Sequence, residues 1–139
     1  MSPESGRPVI RVLFDGGSRG NPGPGYGSYQ IRFPDGREET VRLDFGRRMT
    51  GNEAEYRTLI AALEDVLRRL QREGLEPQAF VVDIRGDSAL VILQVRGDWK
   101  ARHPRMRALW ERVGELLRAF GGHRLERVPR EIALRRLGH

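Results

Sequence analysis

No cysteine occurs among the 139 residues, which excludes disulfides and thiolate metal centres. Lysine is nearly missing as well: Lys100 is the only one, and arginine supplies the rest of the positive charge. No apolar run approaches the roughly 20 residues that cross a bilayer. Residues Met1 to Pro8 hold no apolar segment that could serve as a signal peptide. These absences lead to the expectation of a cytoplasmic protein with no membrane association. Nor does any aspartate follow Asp98.

What remains is an ordinary globular composition, 38% hydrophobic and 32% charged, enough for one domain over residues 1–139 with a core of its own. The formal charge is +6 and the sequence pI about 10.8. Arginine forks bind phosphates bidentately, so a polyanionic partner is one reading. Arginine-rich codon usage or a hot habitat is the other, and composition leaves both open.

Residues 9–14, VIRVLF, read as a strand that ends at Asp15. Gly and Pro between Arg19 and Gly25 are turn chemistry. YGSYQIRFP and REETVRLDFG, separated at Pro34, Asp35 and Gly36, form a hairpin pattern, for three antiparallel strands in all. From Asn52 to about Arg72, Ala54, Leu59, Ile60, Leu63, Val66, Leu67 and Leu70 recur at helical steps. Thr50 and Glu53 in front of them make a capping-box pattern. QAFVVDIRG is a nearly continuous apolar strand of the buried parallel kind. A helix beginning at Asp87 and Ser88, an amphipathic helix over residues 104–120, a strand in RLERV and a short final helix complete the order βββαβαα(α)βα, in which the bracketed helix before the last strand is optional. That order predicts a mixed sheet with helices on its faces.

Three acids then gain a common address. Asp15 ends the first strand, Glu55 lies in the first turn of the long helix, and Asp87 follows the fourth strand. If the first and fourth strands are neighbours, all three meet at the crevice where α/β sheets place their chemistry. Three close carboxylates repel one another and raise their own pKa values, and a divalent cation relieves the repulsion. All-oxygen ligands favour Mg²⁺ or Mn²⁺, and two such ions about 4 Å apart suit phosphodiester hydrolysis. Each acid also has a plain structural reading: a turn residue at Asp15, a helix-dipole partner at Glu55, an N-cap at Asp87. Spacing leaves both readings standing.

The residues around the acids carry a resemblance. DGGSRGNPGPGYG at 15–27, TGNEAEYRTLIAAL at 50–63 and GDSALVILQVRGDWK at 86–100 resemble, in order, the blocks of type 1 ribonuclease H. VPRE at 128–131 is similar to the ending of the branch without a long basic protrusion. The resemblance covers nearly the whole chain. It implies a ribonuclease H-like α/β fold: a five-stranded mixed sheet, three antiparallel strands followed by parallel ones, with helices on both faces. It implies an endoribonuclease that hydrolyses the RNA strand of RNA–DNA hybrids with two metal ions, Mg²⁺ or Mn²⁺, leaving 5′-phosphate and 3′-hydroxyl ends. By position, Asp15, Glu55 and Asp87 would be catalytic metal ligands, with Asp15 bridging. Asn52 and the backbone at Gly16 would contact the minor groove, and Asn21 and Thr50 a DNA phosphate. Lys100, Arg102 and Arg105 are candidate phosphate contacts, and Trp99 reads as packing to anchor its loop, with stacking on the nucleic acid as the alternative. The protein is expected to act as a monomer, and its A-form-reading surface extends the candidate partners to double-stranded RNA.

One departure stands out. The family carries a fourth carboxylate on its last helix, where this chain reads IALRRLGH. Without gaps, Ala133 takes the family's asparagine place and Leu137 its aspartate place. Glu131, His139 or the C-terminal carboxylate are the candidate substitutes, Glu131 being the nearest acid. The alternative is a module that binds hybrids or duplexes and cleaves them weakly. His103 reads as a helix-entry residue and His123 as structural or exposed.

Overall fold

The structure, a computed structural model, describes residues 6–137; His139 and the terminal carboxylate lie outside the described residues. β1 (Val9–Ser18), β2 (Gly23–Arg32) and β3 (Glu38–Met49) form an antiparallel meander, followed by α1 (Gly51–Arg72). After one 3₁₀ turn at Pro77–Ala79 come β4 (Val81–Gly86), α2 (Ala89–Arg96), α3 (Pro104–Leu117), β5 (Gly122–Arg127) and α4 (Arg130–Leu137). The sheet order is β3-β2-β1-β4-β5, with β4 parallel to both β1 and β5. The five-stranded mixed sheet is as expected. Among the described residues no helix is long and apolar enough to cross a membrane.

Alternation in β1 decides how the layers are used. Ile10, Val12 and Phe14 are fully buried and pack with Tyr29, Ile31, Val82 and Ile84 against α1 and α3. On α1, Leu59, Leu63, Val66 and Leu70 fill the facing stripe, each contributing about 2 kcal/mol by burial. Leu13 points the other way, into a second small cluster with Val128, Ala133 and Leu137. That cluster seats α4 on the opposite face, so both faces carry helix.

Three boundaries differ from the sequence-based expectation. β1 does not end at Asp15: it runs to Ser18, because β2 keeps pairing with it through Asp15↔Ser28 to Ser18↔Gly25. Strand pairing overrides the turn propensity of the glycines, and β2 itself starts at Gly23, inside the expected turn. The N-cap of α2 is Ser88, whose side chain accepts from the Val91 N–H, so Asp87 is free of the capping role. Helix α3 stops at Leu117, three residues before the expected end, while Phe120 stays buried just beyond it.

Candidate active site

The β1–β4 ladder ends at Phe14↔Gly86. Asp15 and Asp87 are therefore the next residues on two parallel neighbours, whose backbones run about 4.8 Å apart. β4 stops there while β1 continues, which opens the crevice beside Asp15. Glu55 reaches the same place because α1 presses onto β1 at Gly16. A Cβ on Gly16 would stand 2.8 Å from the Ala54 carbonyl oxygen and 2.9 Å from the Glu55 Cα, so only glycine lets the helix come so close.

The electrostatics agree with that placement. Burial pushes the Glu55 carboxyl up to about 7, the charges of Asp15 and Asp87 push the same way, and a hydrogen bond from Ser88 partly offsets them. Ser88 thus serves two ends, capping α2 and holding Glu55. Asp87 is drawn aside: Arg130 Nη1 on α4 lies 3.8 Å from its Oδ2, and Arg127 Nε donates to its carbonyl at 3.2 Å. Among the described residues, no three Asp, Glu or His side chains converge into a ready metal-binding group. The donor set itself, three partly buried carboxylates with no sulfur or imidazole, fits a hard divalent cation.

The other expected residues fall into separate places. Thr50 caps α1, accepting from the Glu53 N–H at 3.2 Å, and Asn21 Oδ1 accepts from the Gly51 N–H at 3.3 Å. With Asn52, Gln94, His103 and Arg105 they line a groove of about 780 Å³ between the start of α1 and the start of α3. His103 is the N-cap of α3, its Nδ1 accepting from the Arg105 N–H. His123 is exposed on β5. Lys100 and Arg102 are exposed outside this groove, and Trp99 keeps 50% of its surface exposed, so it does not anchor its loop by burial. Tyr56 on α1 donates to Gln94 Oε1 at 2.6 Å, and Gln94 Nε2 donates to the Lys100 carbonyl, which ties the groove wall to that loop.

The last helix answers the question of the missing aspartate. Ala133 and Leu137 are each 1% exposed and face Leu13 and Val128, not the crevice. Glu131 is exposed, and it is Arg130 that α4 presents to Asp87. Sequence reading missed Ser88 and Arg130. The only signal for Ser88 was its place directly after Asp87 in GDS.

The sheet order, the α1 approach at Gly16 and the carboxylate crevice together define a ribonuclease H-like domain. Comparison with known proteins narrows the class. The family described as "Reverse transcriptase-like" matches residues 13–134. Ribonuclease HI of Halobacterium salinarum is 37% identical over 121 residues, 87% of this chain and 57% of that protein. The crystal structure of RNase H1 from the same archaeon superposes with a TM-score of 0.73 at 35% identity, covering 91% of this chain and 90% of that one. The Bifunctional protein Rv2228c of Mycobacterium tuberculosis is 38% identical over 125 residues, 87% of this chain and 31% of that protein. LC11-RNase H1 in complex with an RNA/DNA hybrid has a TM-score of 0.74 at 28% identity, covering 91% of this chain and 89% of that one. The chain belongs to the type 1 ribonuclease H family. It spans just over half of the archaeal ribonuclease HI and about a third of the mycobacterial protein.

Proposed function

We propose that this chain is a metal-dependent endoribonuclease that hydrolyses the RNA strand of RNA–DNA hybrids. The observation that carries the reading is the register that sets Asp15 and Asp87 side by side just past the β1–β4 ladder, with Gly16 letting α1 bring Glu55 against β1; the raised pKa of Glu55 agrees with it. The hybrid seen bound to LC11-RNase H1 supports the choice of substrate. Asp15 and Asp87, next past the β1–β4 ladder, and Glu55, at the start of α1, would hold Mg²⁺ or Mn²⁺. When bound, a pair of such ions supplies a nucleophilic water at neutral pH and charge stabilisation at the leaving oxygen. Water adds to phosphorus and the bond to the 3′-oxygen breaks, leaving a 5′-phosphate and a 3′-hydroxyl.

The chain's own residues would do the positioning. Ser88 orients Glu55, while Asn21 and Thr50 take a phosphate of the DNA strand in the groove beside the crevice. Asn52 on the groove wall and the backbone at Gly16 beside Glu55 would meet the minor groove. Recognition through phosphates and 2′-hydroxyls implies little sequence preference, and leaves double-stranded RNA as a second substrate. All three acids come from one chain, so a monomer suffices.

A second reading has its own support. Arg130 stands beside Asp87 and no fourth acid faces the crevice from α4, which favours a hybrid-binding module with weak cleavage. Cleavage of a labelled hybrid over a range of Mg²⁺ and Mn²⁺ concentrations, with Asp87→Asn alongside, separates the two. Metal-dependent cutting that the variant loses while keeping hybrid affinity supports the nuclease. Intact RNA at every metal concentration, with binding retained, supports the binding module.

A further inference from the structure

Glu53 offers a carboxylate where none is expected to be busy. As the third residue of α1 its side chain should turn back to the cap, yet it is 4% exposed and faces three guanidinium groups. Arg57 Nε donates to its Oε2 at 2.8 Å, Arg105 Nη1 to its Oε1 at 3.5 Å, and Arg47 Nη2 lies 3.8 Å from Oε2. The three arginines come from α1, α3 and β3, so one carboxylate ties three elements, next in sequence to Asn52 on the groove wall. Arg47 and Arg105 nonetheless keep 57% and 67% of their side chains exposed. One negative charge against three positive ones leaves a surplus held in place at the surface.

We propose that Glu53 is a positioning residue that fixes Arg47 and Arg105 as paired contacts for backbone phosphates of the bound nucleic acid. The inference rests on the reading of the chain as a hybrid-binding nuclease and adds to it the device that orders the basic surface. A free arginine arm must be immobilised when it meets a phosphate. Tethering it beforehand is worth roughly two- to tenfold in affinity per arm. Arg105 lines the same groove as Asn21 and Thr50, and Arg47, near the end of β3, shares the Glu53 carboxylate with it.

The sign of one substitution decides the matter. Glu53→Gln removes a negative charge, and by net charge alone it should tighten binding to a polyanion. If Glu53 positions the arginines, the same change weakens binding. The experiment is anisotropy of a labelled RNA–DNA hybrid in EDTA over a salt series, with thermal melts of each variant as a folding control. Glu53→Gln is expected to bind about fivefold more weakly. Arg47→Ala with Arg105→Ala should flatten the slope of log affinity against log salt by about two, near 0.9 per lost phosphate contact. In that double background Glu53→Gln should have no further weakening effect. In steady-state cleavage, KM should rise for Glu53→Gln while kcat holds.

Tighter or unchanged binding by a folded Glu53→Gln overturns the inference, as does an unchanged salt slope in the arginine double variant. The slope still decides should Glu53→Gln unfold. A wild-type chain that does not bind the hybrid at all overturns the functional reading itself, and this inference with it.

Discussion

Replacing Glu55 by glutamine should make the metal-free protein more stable at neutral pH, although the residue sits at the centre of the proposed site. Burial, with the charges of Asp15 and Asp87, holds the Glu55 carboxyl near 7 in the folded chain, against 4.5 for an ordinary glutamate. Between those values the folded chain keeps a proton that the unfolded chain has released. Wild-type stability therefore falls as pH rises from 4.5 to about 7, and the penalty is complete above that. At about 1.4 kcal/mol per pH unit the ceiling is about 3 kcal/mol, or roughly 10 °C in Tm. Glutamine keeps the size of the side chain and an acceptor for the Ser88 hydroxyl but carries no charge. Urea and thermal unfolding in EDTA should show the variant ahead at pH 8 and the advantage closing towards pH 4. A variant no more stable than wild type at pH 8, with a parallel pH profile, would refute the reading of Glu55 as a buried, charge-strained carboxylate.

The other expectations are simpler. Mg²⁺ or Mn²⁺ should raise the Tm of the wild type and do little for Glu55→Gln or Asp87→Asn, as read by melts with and without EDTA. Leu137→Asp should not restore a fourth ligand: Leu137 is 1% exposed against Leu13 and Val128, so a charge there should cost about 3–5 kcal/mol in urea unfolding. Gly16→Ala should cost about 1–3 kcal/mol and lower cleavage, because its Cβ would push α1 and Glu55 off β1. Thr50→Ala removes the α1 cap and should cost about 1 kcal/mol in the same assay, with weaker hybrid binding.

Local patterns were enough for the elements. The helical recurrence from Ala54 to Leu70 lies on the buried stripe of α1, and the continuous apolar run at Val81–Ile84 is an interior parallel strand. Both follow from periodicity, which is a property of neighbouring residues. The positions of Asp15, Glu55 and Asp87 at element ends were readable on the same ground. Their encounter was not, since it depends on β4 lying beside β1 in a register that ends at Phe14↔Gly86.

Long-range contacts decided the rest. β1 outlasts its glycines because β2 supplies partners as far as Ser18. Glu53 looks like a capping residue from its spacing and becomes a three-arginine hub only when β3 and α3 arrive beside it. Gap-free alignment puts Leu137 at an aspartate's place, but the face that α4 turns to Leu13 makes it core. Sequence alone determines which residues are apolar, charged or able to turn, and at what period. Which distant groups share a few ångströms of space, and so which acids repel and which arginines are tied, is settled only when the sheet closes its register and the helices dock on it.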